Sequence, residues 1–242
     1  MTARKNGKKN VPKTTKKKRK NKRKRYEMSR LWIALGLLAL VLLVIFGVTR
    51  HQKKAAADQQ TTRLSQIDES RPELDVELLT VNPYSRPGTA LEKVNGIVIH
   101  YTANPGATAI ANRNYFENLK DTHTTKASSH FIVWLEGEIV QCIPTAEIAY
   151  ASNDRNSDTI SIECCYQNED GSFEQATYDS VIRLTAWLCA KFGLTTEDVI
   201  RHYDVTGKLC PKYYVEHEDA WAQFKEDVTT YLKIYQTGDE NG

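Results

Sequence analysis

The sequence predicts an α/β domain with a central mixed β-sheet flanked by helices, preceded by one N-terminal transmembrane helix. Three features carry that expectation. An uncharged, almost wholly apolar run, LWIALGLLALVLLVIFGVT, occupies residues 31–49. Short β-rich apolar runs lie between residues 96 and 166. Segments with helical apolar period lie among and after them, and alternating strands and helices give a mixed sheet with helices packed against it.

The apolar run is long enough to cross a bilayer, since nineteen residues at 1.5 Å rise reach about 28 Å. A core helix is rarely apolar all round. A cleaved leader has a shorter apolar region that ends at a small-residue site. Here Arg50, His51, Lys53 and Lys54 intervene before Ala55–Ala57, so an uncleaved anchor is expected.

Charge orients that anchor. The first 30 residues hold 15 of the 33 Lys and Arg but only Glu27 of the 30 acids, a local net of +14. The remainder carries 18 bases against 29 acids, a net of −11. Basic runs such as KKKRK (16–20) and KRKR (22–25) before an apolar helix follow the positive-inside rule. They place the N-terminus in the cytoplasm and the remainder outside. No aromatic residue interleaves them until Tyr26, so base stacking, and with it a nucleic-acid partner, is not expected.

Residues 50–75 are polar, without sustained apolar period, and read as an extracellular linker or short stalk helix. The folded domain is expected over 76–236, with a short C-terminal tail at 237–242. Its strands are expected at GIVIHYT (96–102), HFIVWL (130–135), EIVQCI (138–143) and TISIECCY (159–166), with a tight hairpin at Glu136–Gly137. Helices are expected at ATAIANRNYFENLK (107–120), from Tyr178 to Phe192 with Gly193 as the stop, and from Trp221 to Leu232.

Polar residues stand at the ends of several apolar runs. His100 closes one strand, and His202 follows the short run Val199–Ile200. The loop RHYDVTGKLCPKYY (201–214) then adds Lys208, Cys210 and Pro211. Two imidazoles and a thiolate suit zinc, and three protein ligands leave a fourth position open, the arrangement of a catalytic site. No C-x-x-C pair of the kind that marks structural zinc occurs. Spacing alone leaves open that His100 is an ordinary buried strand histidine.

From GIVIHYTANPGA to KLCPKYY, over roughly residues 90–235, the sequence resembles the zinc-dependent N-acetylmuramoyl-L-alanine amidases of the amidase-2 family, which share a fold with peptidoglycan recognition proteins. The strand IVIHYT, the SSHFIV strand, TISIE and the H-x-x-x-x-x-K-x-C-P loop carry the resemblance, in that order. It implies that His100, His202 and Cys210 bind Zn2+, that Glu163 is the carboxylate beside the attacking water, and that Lys208 faces the scissile carbonyl. The resemblance implies a peptidoglycan hydrolase with domain 76–236 as its catalytic unit; the anchor read from residues 31–49 lies outside the match and adds a place in the cell membrane, facing the wall, as in a Gram-positive bacterium. A non-catalytic peptidoglycan-binding sensor of the same fold is the alternative.

The chain also departs from its relatives. Some carry a tyrosine immediately before the histidine of the second strand, where this chain has Ser129 followed by His130, so Glu163 becomes the expected proton carrier. His130 is left as either a substrate contact or a packing residue. Many relatives have a histidine near AYASN (149–153), where Tyr150 and Asn153 stand here. Cys142, Cys164, Cys165 and Cys189 could bridge or stay free thiols, and sequence does not choose between them. Cys164 and Cys165, adjacent on a strand, are expected to point to opposite faces.

Overall fold

A computed structural model describes residues 13–235. The outermost part of the basic tail (1–12) and the expected C-terminal tail (237–242) lie outside the described residues. The chain divides into two compact units, residues 1–62 and 63–242.

Helix α1 (Lys13–Glu69) runs through the apolar segment and the stalk without a break. Residues 31–49 are exposed throughout, the reverse of a core helix, and the helix is long and apolar enough to cross a membrane. Of the two forms expected for residues 50–75, linker or stalk helix, the stretch up to Glu69 is helical.

The second unit opens on the last turns of α1. Ile67 is buried in the domain core at 3% exposure. The Trp187 indole donates to the Ile67 carbonyl at 3.0 Å. That carbonyl is one of the four at a helix C-terminus with no partner inside the helix. Lys191 pairs with Asp68, and the Tyr235 hydroxyl donates to the Ser70 carbonyl.

Six strands form one mixed sheet in the order β1-β4-β3-β5-β2-β6. These are β1 (Asp75–Val76), β2 (Gly96–Tyr101), β3 (Phe131–Val133), β4 (Ile139–Gln141), β5 (Thr159–Cys164) and β6 (Val199–Arg201). β3 and β4 pair antiparallel, and every other pairing is parallel. The hairpin between β3 and β4 is wider than a two-residue turn. Trp134 N–H donates to Glu138 O and Gly137 N–H to Trp134 O, so β3 stops at Val133 and β4 begins at Ile139.

Alternation along each strand sorts side chains into two layers. Ile97, Ile99, Phe131, Val133, Ile160, Ile162 and Cys164 share a core with α3 (Gln175–Phe192) and α6 (Glu218–Ile234). Each fully buried aliphatic side chain there contributes about 1.5–3 kcal/mol. Ile132, Val140 and Cys165 face the other way, onto Phe116 and Leu119 of α2 (Ala109–Thr122). Cys164 and Cys165 therefore do lie on opposite faces. All five cysteines are buried free thiols.

Gly193, in the left-handed conformation at φ +68, ends α3 where the sequence places the stop. Thr108 caps α2 by accepting from Ala111 N–H. α2 is the thinner cover, and the strand positions out of phase with the large core include His100, Ser161 and Glu163. Polar chemistry collects on that side.

Candidate functional site

Strand register brings the first groups together. His100 on β2 is the direct neighbour of Glu163 on parallel β5, and Ile99 pairs with Arg201 on β6, so His202 follows immediately beyond the paired residues. Three adjacent parallel strands thus present Glu163, His100 and His202 at their C-terminal ends, where open α/β sheets display ligand-binding groups.

The loop after β6 supplies the rest. A short helix α4 (His202–Thr206) stops at Gly207, whose φ of +76 turns the chain back. Tyr203 N–H donates to the Cys210 carbonyl at 2.9 Å, closing the loop on itself. Arg201, 7% exposed, locks the start of the loop. Its guanidinium donates to Asp204, Glu218 and the Tyr214 carbonyl and lies near the faces of Tyr203 and Trp221. Helix α5 (Lys212–Glu216) follows.

Ligand atoms of His100, His202 and Cys210 all lie within 4.8 Å of one another, and all three residues are buried. Each ring is held by its outer nitrogen. Ser152 Oγ lies 3.2 Å from His100 Nε2, and Asn153 Oδ1 3.2 Å from His202 Nε2. His100 Nδ1 then faces Cys210 Sγ at 3.9 Å and Glu163 Oε1 at 4.0 Å. His202 Nδ1 is buried with no hydrogen-bond partner, as is Glu163 Oε2.

Burial, and then His202 and Lys208, hold His100 well below the usual imidazole range. Burial and Lys208 lower His202 as well. Both rings are therefore neutral, with lone pairs free to bind a cation. Burial raises the Cys210 thiol to about 12, so it would release a proton on binding a metal. Burial also raises Glu163 to about 8, against the opposing pull of Lys208. Two neutral imidazoles, one of them with an unsatisfied buried nitrogen, and a thiol form a donor set that fits a borderline-soft divalent ion.

These groups line a cleft of about 350 Å3, which also contains Lys208, Lys126, Tyr150 and Asn156. A larger cavity of about 1090 Å3, bordered by Trp134, Arg183 and Tyr231, contains none of the groups named above. Chemistry rather than size identifies the smaller cleft as the candidate site.

All five residues singled out in the sequence thus border one cleft: His100, His202 and Cys210 as a buried cluster, Glu163 beside His100, and Lys208 exposed at the rim. His130 lies elsewhere. It is 1% exposed, its Nε2 meets the Glu147 carbonyl at 2.9 Å, and its Nδ1 accepts from Ser161 N–H at 3.0 Å, so it packs. Ser129, also buried, donates to the Ser161 and Phe131 carbonyls.

Sequence reasoning missed Ser152 and Arg201 and did not foresee what Asn153 does. The one available signal was the segment AYASN. Its loop is shaped by Asn156 Oδ1, which accepts from Ala151 and Ser152 N–H, and by Asn153 at φ +51, a left-handed conformation that asparagine tolerates.

A model of the N-acetylmuramoyl-L-alanine amidase family matches residues 90–213. The chain is 38% identical over 165 residues to the N-acetylmuramoyl-L-alanine amidase CwlL of Bacillus licheniformis, covering 63% of this chain and 45% of that protein. It is 36% identical over 171 residues to the amidase BlyA of Bacillus subtilis (strain 168), covering 62% and 45%. A solved mutant endolysin from Bacillus subtilis superposes with a TM-score of 0.54 at 31% identity, over 64% of this chain and 98% of that one. The chain therefore spans a little under half the length of the curated relatives it matches. The matched segment runs from just before β2 to the start of α5 and includes every group in the His–His–Cys cleft, and on that match the chain belongs to the amidase-2 family of N-acetylmuramoyl-L-alanine amidases.

Proposed function

We propose that this protein is a membrane-anchored, zinc-dependent peptidoglycan hydrolase. It cleaves the amide between the lactyl group of N-acetylmuramic acid and the L-alanine of the stem peptide. The observation that carries the reading is the convergence of His100, His202 and Cys210 beside a buried carboxyl, Glu163, in one open cleft.

His100, His202 and Cys210 would hold the ion, with Ser152 and Asn153 fixing the two rings. When bound, zinc supplies Lewis acidity, acidifying water and polarising an amide carbonyl. Glu163 accepts the proton of the attacking water on its carboxylate and returns it to the leaving alanyl nitrogen. Its place beside His100, with one carboxyl oxygen buried and without a hydrogen-bond partner, suits it to both tasks. Lys208, at the rim, stabilises negative charge developing on the carbonyl oxygen.

The anchored topology rests on α1 and the basic tail. The tail stays in the cytoplasm, residues 31–49 span the membrane, and residues 63–242 work outside, against the wall. The test is release of new L-alanine amino termini from purified peptidoglycan by residues 63–242. Release should stop with a chelator and return with zinc. Binding of muropeptide without any release would favour the sensor instead.

A further inference from the structure

The cleft has a second cation in its lining besides Lys208. Lys126 lines it together with Tyr150, and the Lys126 ammonium sits 5.4 Å from the centre of the Tyr150 ring. Lys126 is exposed and has no ion-pair partner among the described residues. The wall is firmly built. Ser128 N–H donates to the Tyr150 carbonyl at 3.0 Å, and Tyr150 N–H donates to Ser128 Oγ at 2.9 Å. The same loop continues to Ser152 and Asn153, which hold the two rings of the metal cluster. Tyr150, on which the Lys126 ammonium rests, is thus two residues from the segment that holds the two rings. With Lys208 on the rim, the cleft lining has two lysines and one acid, Glu163. A lysine resting on an aromatic face is partly ordered before any ligand arrives, so less side-chain entropy is lost when an anion pairs with it.

We propose that Lys126 selects stem peptides whose second residue bears a free α-carboxylate over peptides in which that group is amidated. The inference rests on the amidase reading given above. In such a peptide the carboxylate carbon lies five bonds from the nitrogen of the scissile amide, roughly 6 Å away, a span that fits inside a cleft of this size. A carboxylate gains a charge-assisted hydrogen bond from Lys126, while a neutral amide gains only an ordinary one. Pairing at a solvent-exposed site leaves a discrimination of about tenfold.

The experiment compares muramoyl-L-alanyl-D-isoglutamate with its isoglutamine counterpart, using the zinc-loaded protein. Both kcat/KM and the Kd from calorimetry are measured. The expected result is about tenfold preference for the isoglutamate compound, expressed in KM and Kd rather than kcat. The preference should fall to near unity in Lys126→Met and persist in Lys126→Arg. Equal handling of the two compounds by the unmodified protein would overturn the role of Lys126 while leaving the amidase reading intact. A Lys126→Met protein that weakens on both compounds equally would also overturn it, since general attraction is then enough. Tenfold binding preference without product release would support Lys126 and sink the amidase reading.

Discussion

His130 gives the fold a built-in sensitivity to acid that can be worked out from its contacts. The ring is buried, and both nitrogens are committed. Nδ1 accepts from Ser161 N–H at 3.0 Å, so Nε2 carries the proton and donates to the Glu147 carbonyl. A second proton could go only on Nδ1, against an N–H already aimed at it. Burial lowers the pKa from 6.5 to about 4, opposed weakly by Glu147, whose side chain is engaged by Arg86. Below pH 6.5 the unfolded chain binds a proton at this position that the folded chain refuses, so stability falls with pH from about 6.5 down to about 4. Between pH 7 and pH 5 the linkage relation gives a loss of about 2 kcal/mol from this one residue.

The assay is urea unfolding of residues 63–242 at pH 7 and pH 5, for the natural sequence and for His130→Gln. Gln does not titrate and can still hydrogen-bond. His100 and His202 also sit below the usual imidazole range, but they are present in both proteins and cancel in the comparison. The natural protein should lose about 2 kcal/mol more than the variant between the two pH values. Equal losses would mean that His130 is not held neutral by burial, and the reasoning would fail at that step.

Other outcomes follow from the same geometry. Glu163→Gln should retain zinc, measured as metal content after dialysis, while amide hydrolysis falls by about 10²–10⁴-fold; full activity in a metal-replete variant would remove Glu163 from the reaction. Lys208→Met should lower kcat by about 10²–10³-fold with little change in melting temperature, because its side chain is exposed and lost packing is small. Chelation should lower the melting temperature of residues 63–242 and zinc should restore it, since a ligand that binds only the folded chain stabilises it by mass action. A chain starting at residue 76 should be less stable than one starting at 63 by roughly 3 kcal/mol, from lost burial of Ile67 and the unmade Trp187 hydrogen bond, read as a lower urea midpoint.

That last expectation marks where the sequence stopped being legible. RLSQIDES offers only Leu64 and Ile67 in a polar run, and local sequence does not say that Leu64 stays exposed while Ile67 docks into a core. Its burial depends on Trp187 and α3, more than a hundred residues away, and a window of local sequence contains no trace of them. The strands read more easily because their information is local. GIVIHY and TISIEC are apolar, β-branched runs, and two-residue alternation sends His100 and Glu163 away from the large core. HFIVWL was legible in kind but not in extent, because where β3 ends depends on a turn bond from Trp134 to Glu138 rather than on the apolar pattern.

The candidate site divides along the same line. His100, His202 and Cys210 are of rare type and stand at or after the ends of apolar runs, so the residues alone made them candidates, whereas Glu163 was singled out only through the family resemblance. Residues that aim them are common ones in loops without period. Ser152 and Asn153 look like ordinary turn residues until the fold sets them against the outer nitrogens of two buried rings. Arg201 reads as a surface charge until its guanidinium is found spanning Asp204, Glu218 and the Tyr214 carbonyl. The candidate metal-binding side chains therefore show in residue type and position, whereas the residues that hold them show only in tertiary geometry.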